Sequence, residues 1–133
     1  MKTIGIIGGI TWYSTLDYYR MLNELVNKRL GGVHSAKIIL HSLDFASIKT
    51  LTEKEDWDAI AAIMIESARS LEAAGADCLL LAANTMHNIA EKIYPFINIP
   101  LIHIAEAVAT QVNRQQVKKT ALLGTKYTMQ MDL

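Results

Sequence analysis

Cysteine, net charge and long apolar runs are scarce or missing in this sequence of 133 residues. Its single cysteine allows no internal disulfide, which favours a reducing compartment, so we expect a cytoplasmic protein. The 13 basic and 13 acidic residues cancel, so we expect neither nucleic acid nor an anionic membrane surface as a partner. No apolar run has the length of a transmembrane helix. The four histidines are scattered singly rather than at zinc spacing, so we expect no metal.

The remaining composition is typical of one globular domain. Apolar residues make up 51% of the chain and charged residues 20%, which is enough to build a real core at this length. The first residues, Met1 to Gly5, lead directly into a strand pattern and lack the long apolar region and cleavage site of a signal peptide. From its length and composition, we expect a single domain over residues 1–133.

Segments typical of strands and of helices alternate along the chain with short connections. Together with right-handed crossovers, this alternation predicts an α/β fold, with a parallel sheet of about five strands flanked by helices on both faces. The predicted strands are Thr3 to Ile7, Lys37 to Leu43, the apolar run that begins at Cys78, Ile99 to Ile104, and Thr120 to Leu123. The predicted helices begin near Ser14, at the capping box Thr52 to Glu55, near Thr85, and near Ala105.

The chain changes abruptly from apolar to polar between Cys78 and Ile89. The polar residues Asn84, Thr85 and His87 come where a buried parallel strand ends and a helix begins. In open α/β sheets the carboxyl ends of the strands form the ligand-binding edge, and the free N–H groups of a helix start attract an anion such as a carboxylate. The alternative is that Asn84 and Thr85 only cap the helix and that His87 lies on the surface.

Two glycines, Gly8 and Gly9, end the first strand just before a helix. Phosphate-binding loops have this layout, but neither of the two standard nucleotide-binding glycine patterns is present. A nucleotide-binding domain is one interpretation, and a tight turn with close backbone approach is the other. In the second case the glycines bring Ile10, Thr11 and Ser14 near a ligand at the edge of the sheet.

The last residues, from Thr125 to Leu133, are typical of a loop and the first turn of a helix that is not completed. A domain normally ends after its last element is packed. We therefore expect a fragment or a truncated product.

Three stretches of the chain together resemble the aspartate/glutamate racemase family, and most closely its broad-specificity amino-acid racemase branch. They are Lys2 to Ile10 with Ser14 and Thr15, Asn84 to His87, and Leu122 to Met129. Members of the family are about twice as long, with two similar α/β domains and the active site between them. The resemblance implies that this chain is one half of a two-domain racemase fold.

The chemistry that the resemblance implies needs two acid/base groups and no cofactor. An α-proton is removed from one face of the amino acid and a proton is returned on the other, so one group must stand on each side of the α-carbon. In the family these are usually two cysteines, one per domain, and the first immediately precedes Asn84. Here that position is Ala83, which has no titratable group. Cys78 lies five residues earlier, roughly 16 Å away along a strand, which is too far for proton transfer.

The resemblance therefore implies a binding site without its first catalytic residue. We expect the Asn-Thr pair and the Gly-Thr turn to hold the carboxylate of a small-molecule amino acid or dicarboxylate, and we expect no racemisation by this chain. The substrate-binding residues that the resemblance implies are Ile10, Thr11, Asn84, Thr85, His87, Thr125 and Thr128.

A second interpretation is a non-catalytic module that binds a carboxylate or serves for dimerisation. A half-sized domain exposes the face that would otherwise meet its other half, and exposed apolar surface favours self-association. The apolar stripe of the first helix, which includes Tyr18, Tyr19 and Leu22, adds to this prediction. We therefore expect a homo-oligomer.

Overall fold

The computed structural model describes residues 1–130, which form one parallel sheet flanked by helices. In chain order the elements are β1 (Thr3–Gly8), α1 (Trp12–Leu30), β2 (Lys37–Ser42), α2 (Phe45–Glu53), α3 (Trp57–Ala73), β3 (Cys78–Leu81), a 3₁₀ helix (Asn84–Ile89, the 84–89 helix), α4 (Ala90–Ile93), a second 3₁₀ turn (Tyr94–Phe96), β4 (Leu101–Ile102), α5 (Ile104–Arg114) and α6 (Lys126–Gln130). Within this part of the chain, no helix is both long and apolar enough to cross a membrane.

The strand order β2-β1-β3-β4 confirms the predicted fold class. All three pairings are parallel, and β1 lies between β2 and β3, with Ile4 opposite Cys78 and Ile7 opposite Leu81. The chain leaves β1 toward β2 on one side and returns to β3 on the other. The carboxyl ends of β1 and β3 therefore flank a topological switch point, which is where open α/β sheets bind their ligands.

The sheet has four strands rather than five among the described residues, because residues 120–123 do not form the expected fifth strand. These residues follow an irregular, exposed path, and Leu122 and Leu123 are 63% and 89% exposed. The neighbouring edge strand, β4, is only two residues long and offers little backbone to pair with. An apolar run forms a strand only where a partner strand and a covering layer receive it.

A helix that the sequence pattern did not reveal, α2, shows that the predicted capping box is wrong. Thr52 lies inside α2, where its hydroxyl donates to the carbonyl oxygen of Ile48 at 2.8 Å. The cap of α3 is instead Asp56, whose carboxylate accepts from the N–H of Ala59 at 3.0 Å. An aspartate suits this position because its side chain accepts from an N–H group that has no partner within the helix.

The two faces of the sheet are covered very differently. Right-handed crossovers place α1 on one face and α2, α3 and α4 on the other. Residues from β1, β3, α2, α3 and α4 form the main core cluster, in which Ile48, Ile60 and Met64 are completely or almost completely buried. Thr15 is the only buried residue of α1, and the apolar stripe of this helix remains largely exposed.

Candidate functional site

A cavity of about 550 Å³ opens at the carboxyl edge of the sheet, where β1 and β3 end. It is bounded by the β1–α1 connection, the segment that follows β3, helix α2, and the segment that leads into α6. Its lining residues are Ile10, Thr11, Ser14, Tyr18, Phe45, Lys49, Thr52, Glu53, Ala82, Ala83, Asn84, Thr85, Met86, Gly124, Thr125, Lys126, Tyr127 and Thr128. The topology of the sheet thus brings four separate parts of the chain to one site.

Most of the residues that the sequence singled out line this cavity. The structure brings together all of the expected substrate-binding residues except His87, and it places Ala83 on the same wall; the set is Ile10, Thr11, Asn84, Thr85, Thr125 and Thr128. His87 is buried and does not line the cavity. The wall from α2, with Phe45, Lys49, Thr52 and Glu53, was not foreseen, because the helix that carries it was not recognised.

The β1–α1 connection is closed by its own hydrogen bonds. The N–H of Gly9 donates to the hydroxyl of Thr15 at 2.9 Å, and the N–H of Leu43 donates to the carbonyl oxygen of Gly8 at 2.9 Å. Gly9 has a φ of 87°, and a Cβ at this position would collide with the backbone of Leu43. The glycines therefore provide a tight turn and a close backbone approach, and the N–H of Gly9 is not available to a phosphate.

Three threonine hydroxyls lie close together in the cavity, one from the segment that follows β3 and two from the start of α6 and the residue before it. The Oγ1 atom of Thr85 lies 3.4 Å from that of Thr125 and 3.5 Å from that of Thr128, and the last two are 3.2 Å apart. Thr128 is almost fully buried, and its N–H donates to the hydroxyl of Thr125 at 3.3 Å. A hydroxyl can rotate to donate or to accept, so this triangle of hydroxyls can present its protons to a carboxylate.

Ser14 ties the start of α1 to the end of β3. Its Oγ lies 2.6 Å from the carbonyl oxygen of Ala82 and 2.9 Å from that of Thr11. A serine hydroxyl has one proton, so it donates to one of these carbonyl groups at a time. The hydroxyl of Ser14 thereby connects the first turn of α1 to the residue next to Ala83 in the lining of the cavity.

Tyr127 anchors the wall that α6 contributes. Its ring packs edge-on against Trp57 with the ring centroids 5.8 Å apart, and its hydroxyl donates to the carbonyl oxygen of Thr52 at 3.5 Å. Aromatic pairs prefer this edge-to-face arrangement. The irregular chain that precedes α6 is thereby brought back to the site, although it forms no strand.

The electrostatics of the cavity combine an apolar floor with a charged rim. The apolar lining residues include Ile10, Ala82, Ala83 and Met86, and the lysines at the rim are Lys49 and Lys126. The Nζ of Lys49 lies 3.3 Å from a carboxylate oxygen of Glu53, and both side chains are well exposed. An exposed ion pair of this kind contributes only about 0–1 kcal/mol, so Lys49 can exchange its partner for a ligand carboxylate at little cost.

Two histidines meet behind the wall formed by the 84–89 helix. The rings of His87 and His103 are 4.7 Å apart and nearly perpendicular. His103 caps α5 and accepts from the N–H of Ala105 at 3.2 Å through its Nδ1. Burial lowers the pKa of His87, and the neighbouring His103 lowers it further. The lowered pKa favours the neutral form of the His87 imidazole.

Metal ligands do not cluster anywhere in residues 1–130, where no group of three or more His, Cys, Asp or Glu side chains is arranged to hold a metal ion. Cys78 lies at the opposite end of β3 from the cavity and is half-buried, and burial raises the pKa of its thiol. The site is therefore described by its hydroxyls, its backbone groups and the lysines at its rim.

A comparison with known protein families shows the family of the chain. Residues 7–133 match the sequence model of the family described as Asp/Glu/hydantoin racemase. The chain belongs to this family. One curated relative, the broad specificity amino-acid racemase RacX of Bacillus subtilis, is 33% identical over 75 residues, which cover 56% of this chain and 33% of that relative. The resemblance seen in the sequence motifs is thereby confirmed.

Solved structures extend the likeness over almost the whole chain. A candidate Asp/Glu racemase from Yersinia pestis has a TM-score of 0.94 and 48% identity, covering 98% of this chain and 57% of its own. An aspartate racemase homologue from Pyrococcus horikoshii has a TM-score of 0.86 and 37% identity, covering 97% and 56%. The aspartate racemase of Picrophilus torridus, at 20% identity and a TM-score of 0.79, shares the fold and covers 97% and 55%. The chain thus spans little more than half the length of these relatives.

Proposed function

We propose that the cavity binds a carboxylate of an acidic amino acid or dicarboxylate, and that this chain does not racemise the ligand that it binds. The observation that carries the proposal is the triangle of hydroxyls from Thr85, Thr125 and Thr128, which lies on the same cavity as Ala83. Family membership supports an amino acid as the class of ligand. The hydroxyls supply donors for the α-carboxylate, and Lys49 or Lys126 supplies charge for a second carboxylate.

The lack of catalysis follows from the residue beside the donors. Removing an α-proton needs a base within about 3 Å of that proton, and the methyl group of Ala83 can neither accept nor donate one. In the family's two-base scheme, which needs no cofactor, the position before Asn84 serves one face of the α-carbon. With alanine at that position, this face has no acid/base group, whatever serves the other face.

Alpha-proton exchange is the direct test of this claim. L- and D-aspartate and L- and D-glutamate are incubated in D2O with this chain as the only protein, and loss of the α-proton signal is followed by NMR. We expect no exchange above the protein-free rate. The matched variant is Ala83→Cys, for which we expect exchange to become measurable. Exchange by the unaltered chain would overturn the proposal, because a base other than residue 83 would then reach the α-carbon.

Ligand binding is tested separately from catalysis. Succinate is titrated into the ¹⁵N-labelled chain, with 1,4-diaminobutane as a control of the same length and opposite charge. We expect shifts at residues 84–85 and 124–128 with succinate and none with the diamine. Equal responses to both compounds, or none to succinate and to aspartate, would contradict a carboxylate site.

A dimerisation module is the second candidate function, and the exposed face of α1 favours it. Trp12, Tyr13, Leu16 and Tyr19 are between 52% and 66% exposed, which is unusual for large apolar side chains on one helix. We expect a homodimer by light scattering coupled to size exclusion, and we expect Leu16→Glu to convert it to a monomer. A monomeric unaltered chain would contradict this function and leave carboxylate binding unaffected.

A further inference from the structure

His87 is the one residue of the expected binding set that the cavity excludes. Its side chain is only 3% exposed, whereas Asn84 and Thr85, two or three residues earlier, line the cavity. Burying an imidazole costs free energy unless its polar atoms find partners. The reason for its burial must therefore lie in the contacts that the ring makes.

The ring makes its polar contacts through one nitrogen. Nδ1 lies 3.2 Å from the carbonyl oxygen of Ala83 and 3.3 Å from that of Asn84. A carbonyl oxygen can only accept a hydrogen bond, so Nδ1 must carry the proton and Nε2 must hold the lone pair. Nε2 is buried and has no hydrogen-bond partner among residues 1–130. These contacts define the tautomer of His87 as Nδ1–H.

The backbone that this ring contacts is unusual in itself. The 84–89 helix has six residues, which is longer than 3₁₀ helices normally are, and no side chain caps its start. The carbonyl oxygen of Ala83 also accepts from the N–H of Met86 at 3.2 Å. A 3₁₀ helix has weak backbone hydrogen bonds. The bond from His87 therefore adds a side-chain restraint to the first two carbonyl groups of this helix.

These two carbonyl groups belong to the wall of the cavity. The peptide bonds that carry them join Ala83 to Asn84 and Asn84 to Thr85, so their orientation decides where the side chains of Asn84 and Thr85 point. A shift of this backbone would also separate the hydroxyl of Thr85 from those of Thr125 and Thr128, which it approaches at 3.4–3.5 Å.

We propose that His87 is a positioning residue for the carboxylate site: its Nδ1–H bonds to the carbonyl groups of Ala83 and Asn84 hold Asn84 and Thr85 in the orientation that binds the ligand. The proposal deepens the proposed function, since it takes the carboxylate as the ligand. It assigns His87 a role behind the wall of the cavity rather than in contact with the substrate.

Three variants at residue 87 test the proposal. In His87→Asn the amide nitrogen comes close to the place of Nδ1, in His87→Gln it reaches toward the place of Nε2, and His87→Phe keeps a ring without a donor. Succinate affinity is measured by NMR titration and the melting temperature by calorimetry. We expect His87→Asn to bind within about threefold of the unaltered chain and the other two to bind about tenfold more weakly.

A merely structural role would give a different result, in which affinity falls in step with the melting temperature in all three variants. Equal losses of affinity in His87→Asn and His87→Gln would therefore overturn the proposal. Should His87→Phe fail to fold, the comparison of the two amide variants still decides.

A measurement on the unaltered chain tests the same proposal without any ligand. The ¹⁵N shifts of the His87 imidazole report which nitrogen carries the proton, and we expect the Nδ1–H tautomer. The Nε2–H tautomer would overturn the proposal. If succinate and aspartate do not bind at all, the proposed function fails, and the amide shifts of Asn84 and Thr85 decide the positioning role. They should stay close to those of the unaltered chain in His87→Asn and move in His87→Gln.

Discussion

Two strand-to-helix junctions lie side by side at the carboxyl edge of the sheet, and they differ in where their polar groups find partners. The junction after β1 uses its hydrogen-bonding groups internally: the N–H of Gly9 bonds to Thr15, and the carbonyl oxygen of Gly8 accepts from Leu43. The junction after β3 instead turns Asn84 and Thr85 toward an open cavity. The first junction is closed by these hydrogen bonds, whereas the second presents polar side chains to the cavity.

Glycines and polar residues at a strand exit therefore do not by themselves show where a ligand binds. What decides is whether the groups already have partners in the folded chain. The interpretation of Gly8 and Gly9 as a nucleotide loop loses its support for this reason. The contrast can be tested by changing each junction in turn and by comparing the effects on stability with the effects on binding.

The largest effect is expected at Gly9. Gly9→Ala places a Cβ against the backbone of Leu43 at a φ of 87°, so we expect a loss of about 3 kcal/mol or more in the free energy of unfolding, or no folding. Gly32→Ala is the matched control. Gly32 has a φ of 56° and nothing within 4 Å of the added Cβ, so we expect a loss of only about 1 kcal/mol. Similar urea denaturation midpoints for both variants would contradict the close approach of Gly9 to Leu43 as the cause of the loss.

A smaller loss is expected when the closed junction loses its acceptor. Thr15→Val keeps the shape of the side chain and removes the hydroxyl that accepts from the N–H of Gly9. A buried N–H without a partner costs about 1–3 kcal/mol, which urea denaturation would measure. Thr50→Val is the control, because its hydroxyl bonds within an exposed turn of α2. Unchanged stability in Thr15→Val would show that the junction is not closed by this bond.

At the open junction we expect the opposite division between stability and binding. Thr128→Val removes one hydroxyl from the triangle, so we expect succinate to bind about tenfold more weakly while the free energy of unfolding changes by less than about 1 kcal/mol. Thr110→Val, on the exposed surface of α5, is the control, because it makes the same change of side chain away from the cavity. NMR titration and urea denaturation of both variants measure the two effects. Undiminished binding by Thr128→Val would remove this residue from the site.

The smallest effect is the dependence of stability on pH through His87. Burial, with His103 as a second cause, lowers the pKa of His87 below its ordinary value of 6.5. The unfolded chain therefore binds the proton more readily, and stability must rise with pH in this window. The stability that neutral His87 contributes is fully present above pH 6.5. It is lost as the pH falls toward the pKa of His87 in the folded chain. Between pH 7.5 and pH 5, the urea denaturation midpoint should fall less in His87→Asn than in the unaltered chain. An equal fall in the two would contradict His87 as the cause of the pH dependence.

The sequence motifs predicted the family and much of the site for a physical reason. Ile10, Thr11, Asn84 and Thr85 follow directly after two predicted strands, and the carboxyl ends of parallel strands meet at one edge. Their convergence required only the correct strand order. Thr125 and Thr128 were named from the resemblance to the family alone. The expected fifth strand before them does not form, yet both residues line the cavity. The roles of all these residues in binding stay predictions.

The wall of the cavity from α2 was beyond the reach of sequence patterns. The Thr52 to Glu55 spacing fits a capping box, but the same residues can continue one helix and let an aspartate begin the next. Whether a helix begins at Thr52 or continues through it depends on how Ile48 and Trp57 pack against the core. A local sequence pattern does not contain that information. Phe45, Lys49 and Thr52 were missed as site residues for that reason.

Several expectations about the protein stay predictions. A cytoplasmic location rests on the single cysteine, and a homo-oligomer rests on the exposed apolar face of α1. The expected end of the last element falls partly on residues 131–133, which lie outside the described residues. The expectation of a single domain over residues 1–133 likewise stays a prediction.

The amino-acid sequence by itself determined the class of the fold, the family and the lack of an acid/base group at residue 83, because each of these depends on local periodicity or on the identity of one residue. Only the tertiary structure decided which polar groups remain free. The N–H of Gly9, the ring of His87 and the hydroxyl of Thr85 all lie near the same edge of the sheet. In the folded chain the N–H of Gly9 is paired with Thr15, the ring of His87 lies behind the wall of the cavity, and the hydroxyl of Thr85 faces the cavity.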